Sequence, residues 1–189
     1  MALNFLKKCD LIIHYTYFAP IIITLISFTQ SNHNNFTNGG FENGHYKWNK
    51  WWGLELDSTQ KKSGETSCKI KGSNTEWRGA SQVILCPKSA KTIIVSGWIK
   101  TKNILPNGKP WNNAQIGIRF MKTNNEEDMD NYVGIKYPPV VGAASATCDW
   151  KKYQRKYSIP KDCGFIEINL MCGTATGEAW FDDISVEIK

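Results

Sequence analysis

Beyond residue 31, no stretch of this chain repeats apolar residues at the 3.6-residue spacing of a helix. Short apolar or alternating runs recur instead between clusters of Gly, Pro, Asn and Asp. The candidate strands are TSCKIKG, GASQVILC, KTIIVSGWIKT, AQIGIRFMKT, NYVGIKY, KKYQRKYSIP, GFIEINLMC and AWFDDISVEI, and the loops include KGSNTEW, LPNGKPW, NNEEDMDN and PPVVGAAS. Strands with no helix-length segment between them cannot build βαβ units. The chain is therefore expected to be all-β, a two-sheet antiparallel β-sandwich of the jelly-roll kind. No internal repeat or linker divides residues 32–189, which read as one domain.

Two strands show how the faces should divide. In AQIGIRF, alternation puts Ile116, Ile118 and Phe120 on one side and Gln115, Gly117 and Arg119 on the other. FIEINL repeats the pattern, with Ile166, Ile168 and Leu170 against Phe165, Glu167 and Asn169. The apolar sets belong between the sheets. The polar sets form either an ordinary solvated face or a shallow groove.

Residues 1–31 differ from the rest: Lys7 and Lys8 precede the apolar run LIIHYTYFAPIIITLISF, and the polar TQSNHNN follows. This is the charge and hydropathy order of a signal peptide cleaved near Ser31, giving a preceding apolar helix; the alternative is an uncleaved membrane anchor. Either delivers residues 32–189 outside the cytoplasm, so the expected localisation is secreted or cell surface. Cys9 leaves with a signal, and Cys68, Cys86, Cys148, Cys163 and Cys172 remain, an odd number whose pairing spacing alone does not reveal. No CxxC spacing suggests zinc. The net charge of +6, or +5 without Lys7, Lys8 and Asp10, is scattered in single residues. No nucleic-acid partner is expected, nor any membrane partner once a signal is removed.

The closing segment GEAWFDDISVE sets two adjacent carboxylates within an apolar strand. An unpaired buried carboxylate costs several kcal/mol, so Asp182 needs a partner. By strict alternation it shares the inner face with Ile184 and Val186. A hard cation such as Ca²⁺ accepts carboxylate and carbonyl oxygens in loosely defined geometry, which would join Asp182 to Glu42, with Asn38 and carbonyls near Ser63 as further ligands. Backbone N–H groups of the NGG loop could satisfy Asp182 without metal.

Read with the opening NGGFENGHYKW, the closing segment resembles carbohydrate-binding modules of the family 4, 9 and 22 type. These share an N-G-x-F-E-x-G opening followed by Trp and an aromatic-x-D-D-hydrophobic last strand. EWRGASQVI, IVSGWIKT and DWKKYQRKYSIP resemble three further strands of these modules, in the same order, so the likeness covers about residues 36–189. It implies a jelly roll with a structural calcium where the N-terminal loop meets the last strand, and a sugar-stacking aromatic at the position of Trp77.

Sugar rings offer apolar C–H faces to aromatic walls and hydroxyls to amides, carboxylates and guanidinium groups. The candidate ligand-binding residues are Trp77, Trp111, Trp51, Trp52 and Tyr132 as aromatics, with Gln115, Arg119, Glu167, Asn169 and Gln82 as polar partners. Trp98 and Trp180 read as core, and Trp48 and Trp150 as structural. Catalysis is not expected: residues 32–189 contain two histidines, His33 and His45, and no nucleophile elbow or HExxH. The expected function is binding of a polysaccharide of the β-glucan or xylan type without changing it, with a glycoside hydrolase acting in trans as a companion. A secreted or surface domain for protein binding or adhesion is the alternative, since such sandwiches host many partners, and a small polysaccharide-degrading enzyme ranks below both.

Overall fold

The computed structural model describes residues 36–125, 128–134 and 139–189, with only the backbone at 50–52 and 129. The segment read as signal or anchor, with Cys9, lies outside these residues, as do His33 and Tyr137. The described chain is all-β. One antiparallel sheet orders β1 (Asn49–Trp52), β4 (Arg78–Leu85), β9 (Phe165–Cys172), β6 (Ala114–Met121) and β7 (Val140–Ala144). The second orders β2 (Leu54–Asp57), β3 (Ser67–Lys71), β10 (Ala175–Ile188), β5 (Thr92–Pro106) and β8 (Ala146–Ser158). The expected sandwich of two antiparallel sheets is present.

Alternation builds the core. Ile116, Ile118 and Phe120 from β6 meet Ile166, Ile168 and Leu170 from β9, and across the sandwich Ile93, Val95 and Ile99 from β5 join Ala179 and Phe181 from β10. All are buried, and each large aliphatic or aromatic side chain so placed contributes about 1.5–3 kcal/mol. Because β4, β6 and β9 share one sheet and β5, β8 and β10 the other, the core forms only when segments distant in sequence meet.

Two segments depart from the sequence expectation. Among its described residues NYVGIKY supplies no strand: Met129–Asn131 is a 3-10 turn, Tyr132 makes an isolated bridge to Met121, and 135–138 lie outside the described residues. The edge strand comes instead from VVGAA, read as loop. Its small residues allow a close approach: a β-carbon at Gly142 would collide with the Tyr153 ring of β8, and the Tyr157 hydroxyl donates to the Val140 carbonyl at 2.9 Å. NKWWGLELD forms β1 and β2, and at Gly53 (φ +69°) the chain passes from the first sheet to the second.

Strand β10 carries a bulge. Phe181 pairs with Ile99 and Asp182 with Trp98, but Ser185 pairs with Ser96, so one residue is extra, and Asp183 (φ 49°) takes the left-handed conformation there. The parity argument for Asp182 fails here. Ala179 and Phe181 point into the core, so Asp182 falls with Trp180 on the outer side, and the bulge returns Ile184 to the inside. Asp182 is nonetheless fully buried, because the β2–β3 loop covers it: Lys62 N–H (2.7 Å) and Ser63 N–H (3.2 Å) donate to its Oδ2.

Candidate functional site

The outer face of the first sheet is recessed between two tryptophans. Trp77, in the loop before β4, is 39% exposed and Trp111, in the loop before β6, is 58% exposed. One recess of about 770 Å³ runs between them over Gln115, Gly117, Arg119 and Met171, with Val140 at its rim. A smaller one of about 240 Å³ continues from Trp77 over Ser81, Glu167 and Asn169. The ladder explains the clustering: on β6 and β9, Gly117 stands opposite Asn169 and Arg119 opposite Glu167, all on outward parity.

The floor is polar yet buried, unlike a solvated sheet face. Glu167 is 2% exposed and accepts from Arg119 Nη1 at 3.1 Å. The Arg119 guanidinium in turn lies 5.3 Å from the Tyr132 ring centroid, so Tyr132 props Arg119 and does not line either recess. Asn169 is 3% exposed, and neither its amide nitrogen nor its oxygen finds a hydrogen-bond partner among the described residues; the same holds for Arg119 Nε. A buried amide without partners costs about 1–3 kcal/mol, which a ligand hydroxyl able to donate and accept would recover.

Trp77, Trp111, Gln115, Arg119, Glu167 and Asn169 therefore come together as expected. Gln82 does not. It shares inward parity with Ala80 and Ile84, is buried, and bonds Thr37 in both directions at 3.0 Å, pinning the N-terminal segment to β4. The backbone of Trp51 and Trp52 lies in β1, with Trp52 opposite Gly79, and their side chains are outside the described residues. Met171, Ser81 and Val140 were missed; Met171 and Ser81 carried a signal, because they share outward parity with Asn169 and with Gly79 respectively. Of the tryptophans read as structural, Trp48 is buried, stacked 5.3 Å from Phe41, and donates to Asn38 O at 3.0 Å. Trp98 and Trp180, expected in the core, sit instead on the outer face of the second sheet beneath Lys62 and Lys69, because they alternate with the inward Ile99, Ala179 and Phe181.

A second cluster lies where the N-terminal loop crosses the bulge of β10. Ile184 N–H donates to Gly39 O at 2.9 Å, and a β-carbon at Gly40 would stand 3.9 Å from Asp182 Oδ1, Asp183 Oδ1 and Glu42 Cγ. Glu42 accepts from Glu65 and Thr66 N–H at 3.1–3.2 Å, and Ser63 Oγ donates to Asp183 Oδ1 at 2.7 Å. Burial raises the carboxyl pKa of Asp182, against the lowering by N–H donors from Lys62, Ser63 and Asp183. These donors come from the β2–β3 loop and the bulge and not from the NGG loop. Asn38 engages its side chain inside its own turn, donating to Gly44 O and Tyr46 O and accepting from Asn43 N–H.

A family model described as a carbohydrate binding domain, of the family 4 and 9 modules, matches residues 33–171. The chain belongs to that family. No curated protein matches the sequence. Among solved structures the module is similar to "Family 16 Carbohydrate Binding Module-2", at 21% identity and TM-score 0.60 over 82% of this chain and 99% of that one. A family 61 module solved with β-1,4-galactotriose aligns at 18% identity and TM-score 0.52 over 82% of this chain and 99% of that one. The C-terminal family 22 carbohydrate-binding module of Clostridium thermocellum Xyn10B aligns at 14% identity and TM-score 0.54 over 84% and 96%. At such identities these structures speak for the fold alone. What a carbohydrate-binding module of this geometry can do follows from its own residues: hold a flat apolar surface between Trp77 and Trp111 and offer hydroxyl partners below it.

Proposed function

We propose that the chain binds a polysaccharide of the β-glucan or xylan type, without changing it, in the groove of the first sheet. Family membership supports carbohydrate as the ligand, and the observation that carries the site is the placement of two exposed tryptophans over a floor of buried, incompletely bonded polar groups. Stacking on Trp77 and Trp111 supplies the apolar contact. Gln115, Arg119 and Asn169 take hydroxyls, and Glu167 holds Arg119 in place. The open recess suits the interior of a long chain, and its jelly-roll scaffold holds the groove residues on strands. Glu167 is the one carboxylate among the described residues lining the two recesses, and it is committed to Arg119, whereas glycoside hydrolysis commonly needs a second carboxylate about 5–9.5 Å away. Binding without reaction is the function this arrangement favours. Isothermal titration of the full chain against soluble β-glucan, xylan and mannan, with product analysis of the incubated glycan, tests it. Saturable heat with intact glycan supports the reading; absence of heat for a folded protein, or appearance of shortened chains, refutes it.

The same reading includes Ca²⁺ at the junction of the N-terminal loop with β10. Asp182 and Asp183 each bring an Oδ1 near Gly40, and fully buried Asp182 gains most from a cation, while the Glu42 carboxylate turns toward the backbone N–H groups of Glu65 and Thr66. No three His, Cys, Asp or Glu side chains among the described residues gather into a metal site, so Ca²⁺ there would need backbone carbonyls for most of its shell. The ion would neutralise the carboxylates and tie loop to strand, a structural role remote from the groove. Secretion through residues 1–31 belongs to this proposal, as does a glycoside hydrolase in trans as companion.

A further inference from the structure

The strand pair that carries the groove floor ends, away from Trp77, at two cysteines. The β4–β9 ladder finishes with Leu85 opposite Phe165, and one step beyond, Cys86 N–H donates to Gly164 O at 2.9 Å. Cys163 is thus next to the residue that faces Cys86. Cys163 Sγ donates to Phe165 O at 3.2 Å and Cys86 Sγ to Pro87 O at 3.8 Å, and the two thiols lie near enough that each shifts the other's pKa. Both line one recess of about 690 Å³ together with Lys88, Lys91 and Lys161. Facing residues on antiparallel strands lie about 4.5–5.5 Å apart at Cα, and one step of about 3.4 Å along the strand puts Cys163 Cα roughly 5.6–6.5 Å from that of Cys86, within the roughly 4.4–6.8 Å that a disulfide spans. The other described cysteines sit elsewhere: Cys68 in β3, Cys148 in β8 and Cys172 at the opposite end of β9.

We propose that Cys86 and Cys163 are a disulfide pair that closes by exchange with an external disulfide, stapling β4 to β9. Cys163 is the half-buried member and Cys86 the buried one, which sets the order of events. The Cys163 thiolate attacks one sulfur of the oxidant, and the oxidant's other sulfur leaves as a thiol. Cys86 loses its proton to solvent and attacks Cys163 Sγ in the mixed disulfide, expelling the second oxidant thiol. Two cysteine thiols are oxidised, one disulfide is reduced to two thiols, and the electrons balance. Burial and the adjacent Cys86 sulfur push the Cys163 thiol up to about 12, and burial raises Cys86. Closure is therefore slow at neutral pH and accelerates with pH. Thiols of high pKa are poor leaving groups, so the bond once made resists reduction. The bridge constrains a long loop of the unfolded chain and, in the folded chain, fixes the strand ends next to Glu167 and Asn169.

The full chain, reduced and then incubated with oxidised glutathione at about pH 8.5, is denatured, alkylated and weighed. The expected result is two fewer alkylated thiols than in the reduced chain, a proteolytic fragment joining Cys86 to Cys163, and a melting temperature about 5–10 °C higher that dithiothreitol reverses. The rise should persist in Cys148→Ser and vanish in Cys163→Ser, while the mapped fragment on the unaltered chain needs no variant to fold. Glutathione retained on Cys163, all thiols still free, or a fragment joining Cys163 to any other cysteine would overturn the proposal.

Discussion

Asn169 lays its side-chain amide in the space that a β-carbon of Gly117 would occupy on the neighbouring strand. The absence of a side chain on β6 is thus what seats the groove's central amide on β9. Gly117→Ala is expected to push Asn169 out of place, lowering stability by about 1–3 kcal/mol as overpacking does. Glycan affinity should fall with it. The urea midpoint and a glycan titration measured on the same preparation check both effects.

Trp77 and Trp111 stand in loops and leave the core intact when truncated. Alanine at either position should weaken glycan binding about 5- to 30-fold, the loss of ~1–2 kcal/mol of stacking. The melting temperature should stay within the change usual for surface substitutions, about 0.5 kcal/mol. A variant that melts like the parent and binds like it would move the site away from these rings.

Arg119 and Glu167 are unequal partners, because the carboxylate is buried and the guanidinium partly exposed. Arg119→Ala leaves a buried carboxylate without its cation and should cost about 3–5 kcal/mol. Glu167→Gln keeps the shape and an acceptor and should cost about 1–2 kcal/mol. Chemical denaturation of both variants reads the asymmetry, and equal losses would contradict it.

At the proposed Ca²⁺ site, Asp182 would couple metal binding to pH. Its pKa is raised by burial, so the metal-free native state binds more protons than the unfolded chain, and its stability falls as pH rises from the ordinary carboxylate range through the raised value. A cation removes that penalty by stabilising the charged form. Added Ca²⁺ should therefore raise the melting temperature more at pH 7 than at pH 4, and a chelator should reverse the gain. Asp182→Asn should abolish the difference. Thermal scans at the two pH values, with and without the ion, decide the matter.

Asp57 titrates in the opposite sense. Desolvation works against its charge, but hydrogen bonds from the Thr59 hydroxyl, Trp180 Nε1 and the Thr59 and Gln60 amides bring its pKa to about 2. Its contribution is present above the unfolded value of 3.8 and is lost as pH falls toward 2. Asp57→Asn should flatten acid unfolding across that interval, as followed by tryptophan fluorescence.

AQIGIRF and FIEINL announced their inner and outer faces, because a strand turns alternate residues to opposite sides wherever it lies. The β-class, the core isoleucines and the polar set Gln115, Arg119, Glu167 and Asn169 were legible for that reason, and the Trp-bearing loops showed themselves by their turn residues. Alternation also contained the correct place of Gln82, beside Ala80 and Ile84, though its bond to Thr37 required a segment 45 residues away. The inner or outer side of Asp182 was not legible, because the bulge at Asp183 is a relation between β10 and β5 and has no counterpart in either strand alone. Nor was VVGAA as a strand, since small residues make an edge only where Tyr153 is waiting to cover them. The local chain determined which residues alternate and where it turns. Pairing across long sequence separations decided which strand neighbours which, and so brought Trp77, Trp111 and the polar floor into one groove.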